Sequence, residues 1–296
     1  MIKLVHFSDV HLTAQPLGWT ARDILSKKSP GWINVKLLGR GNRFKHAPRI
    51  VEALRSDLAT RGYDHLIFSG DATTLAFPGE FAISAASLGL TDPGMPPGIA
   101  VPGNHDYYTG HAVKQNLFKQ HFEPWLQGTR IDSNLFPFAR KVGPAWLIAV
   151  NSSTANLWTF DASGAMGLEQ LERLTRLCAT LDAGPRILVT HYPLRAPNGN
   201  PERRTHRLRD HAAALEACKT CHISLWLHGH IHTPYILTAN DQIPFPTICA
   251  GSCTQTHKWN YNEYVVDGDT LRIQSRRYDL NSGAYCDADQ SKLKLA

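Results

Sequence analysis

Apolar positions along this chain fall into two kinds of run. Short unbroken blocks predict strands at 2–8, 65–70, 98–102, 145–151, 186–190, 223–228 and 246–250. Longer stretches with helical spacing predict helices at 47–61, 79–88, 111–126, 167–181 and 209–218. In "RIVEALRSDLATRG", Ile50, Val51, Leu54 and Leu58 share one face, and Gly62 ends the pattern. In "GLEQLERLTRLCATL", Leu168, Leu171, Leu174 and Leu181 make the equivalent stripe. After residue 260 the period changes to two. "NEYVVDGDTLRIQSRRY" alternates about Asp267-Gly268-Asp269, a hairpin signal. Strands that alternate with helices and end in antiparallel strands predict an α/β fold with mixed sheets. Two segments interrupt the order: a basic and apolar insertion at 12–46, and a Pro- and Arg-rich loop at 193–208. A single domain over residues 1–296 is the expectation.

Bulk properties narrow the class without choosing a function. A chain of 43% hydrophobic and 19% charged residues is globular in composition, so a disordered or fibrous protein is excluded. The net charge of +6 favours anionic partners, whether phosphorylated small molecules, nucleic acid or an acidic membrane surface. "MIKLVHFSDVH" enters a strand at once and no apolar run is long enough to span a bilayer, so a cytoplasmic location is expected. The six cysteines are scattered, which favours reduced thiols. "CKTCH" at 218–222 lacks the second ligand pair of a structural zinc site, and Cys218 and Cys221 read as helix-end packing.

The chemistry gathers after the predicted strands. Strand 2–8 is followed by Asp9 and His11, strand 65–70 by Asp71, and strand 98–102 by Asn104, His105 and Asp106. Strand 186–190 is followed by His191, and strand 223–228 by His230 and His232. Ligand sites of open α/β sheets lie at the carboxyl ends of strands. Asp9 and His11 are two apart, as are His230 and His232, so in an extended backbone each pair shares a face. Gly70, Gly103 and Gly229 allow sharp turns beside them. One such histidine would read as packing, and ten of the fifteen histidines are set aside in that way. Five ordered blocks, each after a strand, are a converging site. Carboxylate, imidazole and amide donors suit Mn²⁺, Fe²⁺ or Zn²⁺, with too many ligands for one ion and about enough for two.

These blocks resemble the calcineurin-like metallophosphoesterases, and the resemblance runs from Asp9 to His232. It implies a four-layer αββα sandwich, two mixed β-sheets face to face with helices outside, and a centre of two divalent metal ions. Carried over residue by residue, Asp9, His11 and His232 would hold one ion and Asn104, His191 and His230 the other, with Asp71 bridging. Tyr192 stands where the family often has a second histidine. The implied reaction is hydrolysis of a phosphodiester or pyrophosphate bond by in-line attack of a metal-bridging hydroxide. His105 would protonate the leaving group and Asp106 would orient that imidazole.

The substrate is less legible. The insertion mixes Trp19, Ile24, Leu25, Trp32, Leu37 and Leu38 with seven basic residues, and it follows His11 directly. It reads either as a lipid-facing flap at the inner face of the membrane or as a plain lid. Arg40, Arg43, Arg195 and Arg207 are candidate substrate contacts. Two branches of the family compete: bacterial cyclic-nucleotide phosphodiesterases and UDP-2,3-diacylglucosamine pyrophosphohydrolases. The best-known form of the latter has Arg in place of the motif His, so His105 speaks against that form. A phosphorylated small molecule or lipid-nucleotide is the expected substrate. Nucleic acid is not an expected partner, because little chain follows the hairpin to build a DNA-capping domain. A metal-binding scaffold on the same fold is the non-enzymatic alternative.

Overall fold

The computed structural model describes residues 1–295. Its strands are β1 (Ile2–Phe7), β2 (His65–Phe68), β3 (Gly98–Ala100), β4 (Phe138–Val142), β5 (Ala145–Ala149) and β6 (Arg186–Val189), then β7 (Leu225–His228), β8 (Tyr235–Leu237), β9 (Thr247–Cys249), β10 (Asn260–Asp267), β11 (Thr270–Asp279) and β12 (Ala284–Lys294). The helices are α1 (Ala21–Ile24), α2 (Lys28–Lys36), α3 (Ala47–Thr60), α4 (Pro78–Ser87), α5 (Gly110–Lys114), α6 (Leu117–Phe122), α7 (Leu168–Ala179) and α8 (His211–Thr220).

Two six-stranded mixed sheets result, ordered β12-β11-β10-β1-β2-β3 and β4-β5-β6-β7-β9-β8. β1 sits centrally, antiparallel to β10 and parallel to β2, and its sequence IKLVHF is buried at every position but Lys3. In the second sheet the alternation of side chains sorts two cores. Leu147, Ile187, Val189, Leu225 and Leu227 face the first sheet. Trp146, Ile148, Leu188 and Trp226 face Leu171, Leu174, Leu177 and Cys178 of α7 and Ala214 of α8. On the far side of the first sheet, α3 buries Ile50, Val51, Leu54 and Leu58 and stops before Gly62, whose φ is +67°. The layers are therefore helices, sheet, sheet, helices.

Several expected elements shift. The helix expected over 111–126 is broken into α5, α6 and a 3₁₀ turn at Glu123–Trp125. Asn116 takes a left-handed φ of 53°, and Pro124 cannot continue a helix. Leu168 is exposed as the first residue of α7, and Gln170 is buried near that end, its amide donating to Asn151 O and Met166 O. β4, β8 and β12 were not visible in the pattern. β12 is an edge strand whose side chains are mostly exposed and include the charged Asp287, Asp289, Lys292 and Lys294, so it carries no apolar block. Cys218 and Cys221 are buried with Cys178 in the second core. No helix among the described residues is long and apolar enough to cross a membrane.

Glu80 gives this core a pH dependence. It is wholly buried in the first turn of α4, and Oε2 accepts from the backbone N–H of Leu75 (2.8 Å) and Phe77 (3.2 Å). Oε1 has no partner. Burial pushes the pKa from 4.5 up to about 7 in spite of those amides. The folded protein therefore keeps a proton that the unfolded chain releases, so stability falls as pH rises through that window. Glu80→Gln should flatten the dependence and add up to about 3 kcal/mol at pH 8. Urea unfolding at pH 5 and pH 8 measures this. An unchanged pH dependence in the variant would rule it out.

Candidate metal centre

β1, β2 and β3 are neighbours in one sheet, and β6 and β7 are neighbours in the other. The loops leaving their carboxyl ends come together where the two sheets face each other. Backbone bonds from Asp9 N to Gly70 O (2.9 Å) and from His11 N to Asp71 O (3.0 Å) tie the first two loops. His230 N donates to Asp9 Oδ2 (3.1 Å), which ties the second sheet to the first.

The pairs Asp9/His11 and His230/His232 are not brought together by strand alternation. β1 ends at Phe7 and β7 at His228. Asp9, His11, Asp71, His230 and His232 all have left-handed backbone, with φ of 56°, 47°, 61°, 69° and 62°. A non-glycine residue in that region costs on the order of 1 kcal/mol or more and persists where its surroundings fix it, characteristically at functional sites. Close approach is the reason for two of the glycines. A Cβ at Gly103 would lie 2.0 Å from Asp71 Oδ1, and one at Gly229 would lie 1.9 Å from Ser8 Oγ.

The side chains form two groups. In the first, His232 Nε2 lies 3.1 Å from Asp9 Oδ1 and 3.2 Å from His11 Nε2. Asp9, His11, Asp71 and His232 each present one ligand atom within 4.8 Å of the others. In the second, Asn104 Oδ1 lies 3.1 Å from His191 Nε2 and 3.0 Å from His230 Nδ1. Asp71 Oδ2 belongs to both, 3.5 Å from His11 Nε2 and 3.5 Å from His191 Nε2.

Two observations show that this set fits metal ions. Asp9 Oδ1 is buried and accepts no hydrogen bond, which is costly for a carboxylate oxygen unless a cation satisfies it. The separations also match the edges of a coordination polyhedron, about 3.0–3.4 Å for bonds of about 2.0–2.1 Å.

The histidine tautomers agree. His11 Nδ1 meets Thr73 O (3.2 Å), His191 Nδ1 meets Ser69 O (2.8 Å), and His232 Nδ1 meets Gln255 Oε1. His230 is turned the other way, with Nε2 on His206 O (2.9 Å). Each oxygen takes the ring N–H and leaves the opposite nitrogen's lone pair facing the cluster. These supporting groups have no signature in the sequence, since three are carbonyls of the backbone and Gln255 lies in an unremarkable loop. Burial disfavours the charge on Asp71, yet His191 and His105 hold its carboxyl well below the usual range. Burial likewise lowers His191, but Asp71 outweighs it and lifts His191 to about 9, so the ring's lone pair at Nε2 is exposed only when a cation there displaces that proton.

His105 and Asp106 are placed differently from expectation. Asp106 does not touch the His105 ring. Its Oδ2 accepts from the N–H of Gly103 (2.8 Å), Asp71 (2.9 Å) and Ala72 (3.3 Å), and its Oδ1 from Thr73 N (3.0 Å) and Oγ1 (3.2 Å). These donors surround a carboxylate and leave no acceptor capacity for an imidazole. The His105 ring is held instead by Thr74 O, 2.6 Å from Nδ1, and by Arg40 Nη2, 2.6 Å from Nε2. With Nδ1–H donating to the carbonyl, Nε2 accepts from the guanidinium. The nitrogen expected to deliver a proton therefore carries a lone pair. Burial and the charge of Arg40 hold the His105 pKa well below its ordinary value.

A cavity of about 620 Å³ opens beside the clusters, lined in part by Asp71, Asn104, His105, His230 and His232. Arg40 lines it. Arg207 lines a neighbouring cavity of about 400 Å³ that shares Phe160, Asp161 and Thr205 with the first. Arg43 and Arg195 line neither, and Arg195 donates to Gly199 O and Gln242 Oε1. Arg203, one of the arginines of the basic loop at 193–208, lines the main cavity from the segment after β6 together with Thr205, which has no signature in the sequence.

No curated protein matches this sequence. The fold is similar to that of a dimetal phosphatase from Danio rerio, at 9% identity and a TM-score of 0.69 over 100% of this chain and 99% of that one. It is also similar to purple acid phosphatase PPD1 from yellow lupin (Lupinus luteus) seeds, at 12% identity and 0.64 over 99% and 53% of the two chains. GAP50, the anchor in the inner membrane complex of Plasmodium, gives 12% and 0.56 over 100% and 89%. The family model for calcineurin-like phosphoesterases matches residues 2–234, a range that includes all seven ligand candidates. The chain therefore belongs to the calcineurin-like phosphoesterases, hydrolases of phosphate esters that work at a dinuclear metal centre.

Proposed function

We propose that this protein hydrolyses a phosphodiester or pyrophosphate bond of a phosphorylated small molecule, such as a nucleotide or nucleotide-lipid, at two divalent ions of the Mn²⁺, Fe²⁺ or Zn²⁺ type. The observation that carries the reading is the position of Asp71 Oδ2, equally distant from His11 and His191 and so shared by both ligand groups. Asp9, His11 and His232 would hold one ion, and Asn104, His191 and His230 the other. Bound there, the ions would supply Lewis-acid polarisation of a phosphoryl oxygen and a water of lowered pKa.

The remaining work falls to side chains of the cavity wall. Arg40 is part-buried, fixed through His105, and presents a permanent positive charge beside Asn104 and Asp71. It is suited to binding a phosphoryl oxygen as negative charge grows during transfer. His105 then serves as the group that aims Arg40 rather than as the proton donor. The two assignments make different predictions. If His105 acts through Arg40, Arg40→Ala and His105→Ala should each lower kcat/KM by about 10²–10³, and the double variant little further. The losses should be equal for good and poor leaving groups. A His105→Ala loss confined to poor leaving groups, with additive single effects, would return His105 to the acid role. The wider reading is tested with Mn²⁺-loaded protein on bis-p-nitrophenyl phosphate, cyclic AMP, a UDP-linked lipid and a phosphomonoester. Turnover of the monoester alone would sink it.

A further inference from the structure

The exposed large apolar side chains of the molecule are concentrated on two segments that help to line the cavity beside the ligand groups. Nine of the thirteen large apolar side chains exposed among the described residues lie on two short segments, 19–38 and 157–160. Single exposed apolar side chains are ordinary, but their concentration on two segments that both contribute to one cavity, through Leu38 and Phe160, is not. Both segments contribute to the cavity wall. Lys27, Asn34 and Leu38 line the cavity from the first segment, and Thr159 and Phe160 from the second. Next to them in sequence, and outside the lining, Leu25 is 90%, Leu37 74%, Leu157 87% and Trp158 65% exposed. The first segment is a fixed platform. Trp19 packs edge-on against Phe77 with centroids 4.9 Å apart, and Lys28 Nζ lies 4.0 Å over the same ring.

Charge says what covers this surface. Residues 17–46 hold seven basic side chains and one acidic one, Asp23. That carboxylate is taken up by Lys28 Nζ at 2.8 Å, while Arg22, Lys36, Arg43 and Lys45 remain exposed. Arg203 and Arg204 stand exposed on the loop after β6. Apolar tips among cations complement an anionic lipid surface, in which the tips enter the acyl boundary and the cations meet headgroups. A second copy of this chain would bring the same positive segment against itself.

We infer that the mouth of the cavity docks on an anionic lipid layer, so that the hydrolysed substrate is an amphiphile whose phosphorylated headgroup reaches the metal centre from that layer. The substrate half of this inference rests on the proposed phosphohydrolase reading, whereas the docking half does not. Sedimentation with vesicles of phosphatidylcholine alone and of phosphatidylcholine with phosphatidylglycerol tests it. The protein should bind the anionic vesicles at least about tenfold more tightly. Leu25→Glu/Leu37→Glu and Leu157→Glu/Trp158→Glu should each weaken that binding about tenfold while hydrolysis of soluble bis-p-nitrophenyl phosphate stays within about twofold. Wild-type protein left in the supernatant, or glutamate variants that sediment like it, would overturn the inference. So would a wild-type dimer in light scattering that the variants dissociate. Since turnover of the soluble ester is read separately, vesicle binding without hydrolysis would keep the docking surface and remove the substrate assignment.

Discussion

Replacing Asp71 by Asn is expected to abolish turnover while leaving a folded protein. The carboxylate is shared by two ligand groups, with Oδ2 3.5 Å from His11 Nε2 and from His191 Nε2. Its Oδ1 accepts from the N–H of His105 at 2.8 Å. An asparagine keeps the shape and one oxygen but cannot offer a charged oxygen to both groups. If its oxygen stays on the His105 N–H, the amide nitrogen faces the ring lone pairs aimed into the centre. Metal content per chain should drop from two ions to one or fewer. The rate on bis-p-nitrophenyl phosphate should drop at least about 10³-fold, the equivalent of about 4 kcal/mol of lost stabilisation. Elemental analysis and circular dichroism on the same sample separate lost metal from lost fold. A variant with two ions per chain and an ordinary rate would sink the shared-carboxylate centre.

Asp106→Asn should act through the fold first and through the rate only as a consequence. Two oxygens of Asp106 collect four backbone N–H groups and one hydroxyl from residues 71–73 and 103. Burial and the nearby Asp71 push its pKa up, but the ring of donors favours the carboxylate. An amide in its place must turn its NH₂ toward N–H donors on one side, which leaves buried donors unpaired. A loss on the order of 3 kcal/mol follows, or about 5 °C in Tm. Because the same residues carry Asp71, metal affinity should fall with stability. Thermal unfolding of the metal-free protein isolates the structural part. An Asp106→Asn protein that melts like wild type and shows only a changed pH–rate profile would restore Asp106 to the service of the His105 ring.

Both predictions depend on contacts that residue spacing could not reveal. The order of ligand types after five strands was legible because each apolar block is short and bounded, and because strand ends are where an α/β sheet leaves room for polar side chains. The mixed sheets were legible for the same reason, through continuous apolar runs followed by an alternating hairpin. β12 was not, because an edge strand facing water has no reason to be apolar. Asp106 follows His105 in the chain, and adjacency suggested a dyad. The turn from Gly103 to Tyr107 points its carboxylate back into the backbone of the β2 loop.

The sequence by itself determined the α/β alternation with its late antiparallel hairpin, the set of seven ligand candidates and the excess of positive charge in the segment after His11. Those features are written in local composition and period, which need no partner to be read. Tertiary structure alone decided that five of the ligand candidates sit in left-handed turns, that carbonyls of Ser69, Thr73 and His206 set the imidazole tautomers, and that Arg40 closes on His105. It also decided that Thr159 and Phe160 line the same cavity as the basic segment after His11. Each of these joins segments far apart in the chain, and such a join is fixed by the packing of two sheets, not by any preference of the residues joined.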